Sequence, residues 1–494
     1  MRFEDYVQHD GLGLAALVAR REVSPAELLD TAIARAEAVN PRLNAIVRPL
    51  HERARRQLAA PLSGPFAGVP FLIKDLLTDL AGEPTSRGSR HFRDQVPTQD
   101  SELARRLQAA GLVIFGKTNS PELGLNPYTE PRCWGPTRNP WNLERTPGGS
   151  SGGSGAAVAA GIVPMAGAGD GGGSIRIPAS CNGLVGFKPS RGLNPTGPVD
   201  DPWFGCSVEH PLTRSVRDTA ALLDALSGPE AGAPHQAPRP PRPFLQQMAE
   251  APGRLRIAYT ARPLVGRHEH PDCRAGLEAT VRRCQDLGHE LVEAAPPIDR
   301  ETFMWAFATC LAAETATEFA VAEAQGLPPP SLATVEPRTL ALVRIGRALR
   351  GDEVGRARHA LYAISRAIGA WFASGFDVLL TPTLGRPPFP IGELQPDAAE
   401  RLQLGLANRL PLGAIAKRRE LMLKLGEPLF EWIPNTAPFN VTGGPSVSLP
   451  LHWNGEGLPV GMMFSAPLHE DARLLQLAAQ LEQAHPWFHR RPPL

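Results

Sequence analysis

The chain has 494 residues and is electrically balanced, with 51 Lys plus Arg against 50 Asp plus Glu and a formal net charge of +1. With no long run of one sign, it offers no footprint for nucleic acid or an anionic membrane surface, and its length suffices to bury a sizeable core. The six cysteines, Cys133, Cys181, Cys206, Cys273, Cys284 and Cys310, form no CxxC pair and no zinc spacing, so reduced thiols are expected. The N-terminus, MRFEDYVQHDGLG, lacks the basic start and apolar core of a signal peptide. No window approaches a membrane span, and the expected location is the cytoplasm.

In chain order, Ser24-Pro25-Ala26-Glu27 sets a hydroxyl at an N-cap, proline at the first helical position and glutamate where a capping box wants it. Leu28, Leu29, Ala32, Ile33 and Ala36 then recur at helical spacing, and Asn40-Pro41 is expected to end the helix. The run AGVPFLIK at 67–74 is short, apolar and glycine-bounded, as a buried strand should be, and it ends on Lys74. A helix over about 100–110 and a strand at 112–115 complete a βαβ-like unit, which argues for a mostly parallel, helix-covered sheet. Residues 228–252 are proline-rich and read as a surface excursion. Strands are expected at 255–259, 289–293, 377–381, 445–451 and 458–464, with helices over 273–287 and from about 470. The segment 300–375 is helical in pattern and is expected to wall one side of a site. One domain over 1–494 accommodates all of this.

The chemistry is expected in TPGGSSGGSGAAVAAGIVPMAGAGDGGGS, residues 146–174. Two glycine-rich loops, 148–155 and 167–173, present Ser150, Ser151 and Ser174, and a short helix and strand between them would bring the loops together. Glycine runs suit places where the backbone must approach a ligand closely. Gly167-x-Gly169-x-x-Gly172 fits a dinucleotide pattern, but the acidic residue expected about 20 positions on is replaced by Pro189-Ser190-Arg191. Gly149-Ser150-Ser151-Gly152-Gly153 fits a nucleophile elbow, which would make Ser151 an esterase nucleophile with His289 or His452 as base. Pro147-Gly148 stands where that elbow needs a strand.

A second set of blocks bears on these loops. FLIKD at 71–75, GKTNSPELG at 116–124, TPGGSSGGS at 146–154 and GDGGGSIRIPASCNGLVGFKPSRG at 169–192 resemble the amidase signature family of serine hydrolases in order and spacing. DVLLTPT at 377–383 and PFNVTGGPSVSLP at 438–450 extend the likeness over most of the chain. The resemblance implies an α/β/α fold with a mixed, mostly parallel sheet covered by helices on both faces. It also implies amide hydrolysis through an acyl-enzyme, with Ser174 as nucleophile, Ser150 as bridge and Lys74 as base. Gly171, Gly172 and Gly173 would shape the oxyanion hole, with Ser150 following a cis peptide. Asp170 and Arg176 would orient the loop, and Ser151 would hold Lys74. No metal or organic cofactor is implied, and family members are often homodimers.

The residues themselves fit that chemistry. A serine hydroxyl is a weak nucleophile that needs a base, and with no histidine in these blocks the base must be a lysine. Lysine has a reference pKa of about 10.4, which burial can lower by up to about 3–5 pH units, and the apolar run around Lys74 supplies burial. Asn126, in LGLNPYTEP, could hydrogen-bond a substrate carbonyl, and Cys310, on an apolar helix, could line an acyl pocket. Many family members carry Ser or Thr at the place of Gly169 and a larger residue at that of Gly171, so in this chain the expectation is either a looser loop or room there for a bulky substrate. AGDGGGSIRIPAS and the stretch from PELGLNPYTEP to GPTRNPWN are most similar to the bacterial branch that acts on nylon oligomers. The expected substrates are small linear or cyclic amides such as 6-aminohexanoate oligomers. The alternatives are a general aliphatic or aryl acylamidase and the amidase subunit of a glutamine-dependent tRNA amidotransferase.

Overall fold

The structure, a computed structural model, describes residues 1–199, 201–396 and 413–494. The helix Pro25–Leu43 begins on the expected reciprocal cap: Ser24 Oγ accepts from the Glu27 N–H, and the Glu27 carboxylate accepts from the Ser24 N–H. It runs through Pro41, past its expected end, and stops at Asn44, which is left-handed. A proline in the last turn removes only one helical N–H. The Asn40 side chain secures the exit by accepting from the N–H groups of Ala45 and Ile46.

The strands are β1 (Ile46–Pro49), β2 (Pro70–Lys74), β3 (Val113–Thr118), β4 (Met165–Ala166), β5 (Gly169–Asp170), β6 (Gly186–Lys188) and β7 (Val208–Glu209). There follow β8 (Leu212–Thr213), β9 (Arg256–Tyr259), β10 (Glu290–Glu293), β11 (Val378–Pro382), β12 (Ser446–Trp453) and β13 (Pro459–Ser465). They form one sheet in the order β1-β3-β2-β4-β8, another in the order β10-β9-β11-β13-β12-β6, and a short β5-β7 ladder. Reciprocal hydrogen bonds between Val185 and Thr213 stitch the β6 and β8 edges together. The sheets are mixed, as expected. Parallel pairing is confined to β2 with β3 and β4, and to β9 with β10 and β11, so it does not predominate. The short turn between β12 and β13 is one reason: it can join only antiparallel neighbours.

Residues of β2 and β3 are all buried, which explains why they read as continuous apolar runs rather than alternating ones. Helices Pro25–Leu43, Glu102–Ala109 and Gly152–Ala159 pack into the core around the first sheet. Helices Pro271–Asp286 and Asp471–Ala484 contribute to that of the second. The expected helical segment consists of Arg300–Ala324, Pro337–Ala348 and Gly351–Ala373. The proline-rich excursion contains one short helix, Phe244–Gln247, anchored by the buried Phe244. Several helices have no counterpart in the sequence reading, among them Gly11–Ala19, Val216–Leu226, Arg419–Trp432 and Ala437–Thr442. Among the described residues no helix is long and apolar enough to cross a membrane.

Candidate active site

Lys74 is the last residue of β2, and so stands at the carboxyl end of the parallel strands β3-β2-β4. Sheet edges of this kind are where α/β folds bind ligands. Its side chain is buried, and Nζ donates to Ser150 Oγ at 2.7 Å. Burial pushes the ammonium down to about 7, against the opposing pull of Glu209 and Asp170. Ser150 follows Gly149 through a cis peptide bond. Gly149 is required here: a Cβ would lie 2.7 Å from the Tyr128 backbone nitrogen.

Ser174 ends the loop that leaves β5 and enters the helix Arg176–Asn182. It lines a cavity of about 430 Å3 whose walls are mainly apolar, among them Ile177, Phe307, Leu342, Met422 and Phe430. Ser150 Oγ lies just behind that wall: a Cβ on the cavity-lining Gly124 would be 3.2 Å from it. Ser174, Ser150 and Lys74 are thus gathered from three separate loops and strands around one hollow.

The loop between β5 and Ser174 is held by a buried ion pair. Arg176 Nε and Nη2 donate to the two Asp170 oxygens, both at 2.9 Å, and both side chains are inaccessible to solvent. Burial alone would raise the Asp170 carboxyl, but Arg176 and Asn440 overcome it and hold the group well below the usual carboxylate range. Asp170 also accepts from the N–H groups of Gly173 at 2.6 Å and Ile175 at 3.1 Å. Thr436 Oγ1 donates to the Gly172 carbonyl, and Asn440 bridges Arg176 to the Asp170 backbone. Asp170 and Arg176 therefore sit where the sequence reading sets them. Asn440 belongs to a block already noted there, whereas Thr436 gave no signal.

Of the three glycines, Gly173 has its N–H engaged by Asp170, while no described group accepts from the N–H of Gly172 or Ser174. Gly173 is left-handed, at φ +135°, and a Cβ there would meet Thr436 Oγ1 at 2.5 Å. The room expected beside Gly171 is taken by this chain itself, since a Cβ would fall 2.6 Å from Trp203 Cε3. At Gly169 the neighbour is Glu209 Cγ, at 3.4 Å.

Asn126 lines the cavity, as expected. Cys310 does not: Phe307 and Leu311 are the neighbours that reach the cavity, and Cys310 faces a smaller hollow on another side of the same helix. Nor, among the described residues, is there a hydrogen bond between Ser151 and Lys74. The Ser151 hydroxyl lies 3.3 Å from both the carbonyl and the N–H of Gly169, because it stands at the start of the helix Gly152–Ala159 and points to β5. His289 is tied to the Leu255 N–H and to Gln480, and among the described residues no hydrogen bond joins the Ser151 hydroxyl to His289 or to His452, the two bases the elbow reading offered.

The sequence reading missed Glu209. Burial pushes its carboxyl up to about 7, partly offset by Thr78, whose hydroxyl donates to it at 2.7 Å, and by Lys74. It also missed the helix Arg419–Trp432, which supplies Met422, Leu429 and Phe430 to the cavity. Their helical spacing was a usable signal, obscured by Pro428 within the helix.

The amidase family model matches residues 27–475. A 6-aminohexanoate-cyclic-dimer hydrolase of Paenarthrobacter ureafaciens is 38% identical over 98% of this chain and 96% of its own length. A putative amidase, AmiB2, of Mycobacterium tuberculosis is 39% identical over 89% of this chain and 87% of its own. The solved structure of a 6-aminohexanoate cyclic dimer hydrolase superposes with a TM-score of 0.87 at 37% identity, covering 99% of each chain. With the family model spanning nearly the whole chain and these relatives matching most or nearly all of its length, the chain belongs to the amidase family, and is a hydrolase of carbon–nitrogen amide bonds with the amidase signature fold.

Proposed function

We propose that the chain cleaves amides through an acyl-enzyme on Ser174, with Ser150 relaying protons to Lys74. The observation that carries this is the 2.7 Å contact between a buried lysine and Ser150, beside a cavity lined by Ser174. A lysine held near 7 is substantially neutral at ordinary pH and can accept a proton. Ser174 Oγ attacks the substrate carbonyl carbon as its proton passes to Ser150 Oγ, and Ser150 gives its own proton to Lys74 Nζ. The charge that develops on the carbonyl oxygen is met by the loop Gly171–Ser174, where the N–H groups of Gly172 and Ser174 are uncommitted. When the carbon–nitrogen bond breaks, Ser150 protonates the departing amine and recovers a proton from Lys74. Water then attacks the ester carbon as its proton passes through Ser150 to Lys74, and the return of that proton through Ser150 to Ser174 Oγ releases the acid and frees the serine.

The substrate class we propose is small linear or cyclic amides such as 6-aminohexanoate oligomers. It is supported by relatives named for the cyclic dimer and by a cavity of about 430 Å3 with apolar walls suited to methylene chains. Asn126 would hydrogen-bond a substrate amide. A second reading, an aryl acylamidase, is favoured by the aromatic wall of Trp203, Phe307 and Phe430. It also draws on the likeness to a bacterial aryl acylamidase at 26% identity with a TM-score of 0.83 over 97% of this chain and 96% of that one. A hydrolysis screen of cyclic and linear 6-aminohexanoate dimers beside an acyl anilide separates the two. The account expects turnover of a 6-aminohexanoate amide that is lost in Ser174→Ala; turnover of the anilide alone would favour the second reading.

A further inference from the structure

Behind the substrate cavity lies a second hollow of about 30 Å3, bounded in part by Cys206, Cys310, Glu314 and Arg358. Trp203, Phe307 and Leu311 line both spaces and form the partition between them. Two of the three also lie over the loop that carries Ser174: Trp203 packs tightly against Gly171, where a Cβ would meet the indole at 2.6 Å, and Phe307 lies over Gly172 at ordinary contact distance. Its indole meets Phe307 edge-on, with ring centroids 6.5 Å apart.

The backbone that presents this ring is unusual. Trp203, Phe204 and Gly205 are successively left-handed, at φ of +55°, +53° and +74°. Bulky side chains are disfavoured there, and such residues persist where their surroundings over-determine them. The surroundings here do so from several helices. The Trp203 N–H lies toward the Glu314 carboxylate and favours its charged form against burial, and the Arg358 guanidinium covers the Phe204 ring at 4.8 Å. The Trp203 carbonyl accepts from the Cys206 N–H at 3.0 Å. Asn440 Nδ2 reaches the Cys206 carbonyl and the Asp170 carbonyl together, which ties the turn to the network that holds the nucleophile loop.

We infer that Trp203 is a specificity-determining residue whose indole closes the substrate cavity beside Gly171 and Gly172 and limits the size of the substrate group that lies there. This rests on Ser174 being the nucleophile. Without the indole the cavity opens into the hollow behind it, and a longer apolar chain gains a place. In apolar pockets one methylene changes kcat/KM by roughly 10- to 200-fold, so the effect is measurable as a change in chain-length preference.

The test compares kcat/KM for two series of amides, one lengthened on the acyl side and one on the amine side, in the wild type, Trp203→Ala and Trp203→Leu. The expected result is that the long-to-short ratio rises about 10-fold in one series. Trp203→Leu, which keeps an apolar side chain, gives a smaller rise and serves if the alanine variant does not fold. Gly171→Ala, which forces the indole aside, is expected to change the same ratio, and to do so no longer when combined with Trp203→Ala. A merely structural tryptophan would lower every rate by one factor and leave the ratios of both series unchanged, which would overturn the assignment. Ser174→Ala run in parallel separates the two claims. Hydrolysis retained in that variant refutes the nucleophile, and with it this inference; hydrolysis lost there with unchanged ratios in the tryptophan variants refutes only Trp203.

Discussion

The proposed mechanism needs Lys74 as a base, and its surroundings suit it to that: every residue of β2 is buried, and the cost of burying a charge holds the ammonium near 7. Hydrolysis should therefore rise with pH on an acid limb with a midpoint near 7, and Lys74→Ala should fold yet lose most activity at every pH; a flat profile between pH 5 and 9 would contradict this. The same group affects stability with a definite sign. An unfolded lysine keeps its proton up to about 10.5, so between about 7 and that value the unfolded state binds more protons and this group alone makes stability rise with pH. Glu209 and Asp170 both favour the charged lysine, and Arg176 already neutralises Asp170. Glu209→Gln should therefore move the acid limb to lower pH, whereas an upward move would show that Glu209 acts otherwise. Lys74, Ser150 and Ser174 were legible because each lies in a motif of fixed spacing. Glu209 was not, because only the β5-β7 pairing brings it opposite Gly169, forty residues away in sequence.

At the scale of elements, the loop from β5 to the helix Arg176–Asn182 is a rigid turn built on one buried ion pair. Removing one partner of such a pair leaves an uncompensated charge, at a cost of about 3–5 kcal/mol. Asp170→Asn should lose stability of that order in urea unfolding, and an unchanged midpoint would show that the pair does not hold the loop. Most of the longer strands and helices were readable because apolar runs and caps mark them, as at Ser24 and Glu27. Two of the departures have physical causes. Pro41 sits in a last turn, where a missing N–H matters little, and Pro428 interrupts the pattern of a helix that nonetheless continues. The left-handed turn at Trp203 and Phe204 was invisible in sequence, since bulky residues give no sign of that conformation.

Over the whole molecule, the site depends on parts of the chain that are remote in sequence. The proposed triad of Lys74, Ser150 and Ser174 lies within residues 74–174, but most of the cavity wall comes from Phe307 to Ile345 and from Met422 to Ile433, and Thr436 and Asn440 brace the loop that carries Ser174. Asn440→Ala should lower kcat/KM for all amides in parallel and cost about 1–3 kcal/mol of stability, because it leaves buried partners unpaired. A change confined to long substrates would place Asn440 in substrate recognition instead. The glycines at 169 and 171 pointed to open space, but at Gly171 folding fills it with Trp203, which no local pattern could foretell, while Gly169 has Glu209 only at ordinary contact distance. The central claim is that Ser174 carries the acyl group. Labelling with a fluorophosphonate followed by peptide mapping tests it most directly: modification of Ser174, abolished together with hydrolysis in Ser174→Ala and slowed in Lys74→Ala, is the expected result. Modification of Ser151, or full hydrolysis by Ser174→Ala, would contradict it.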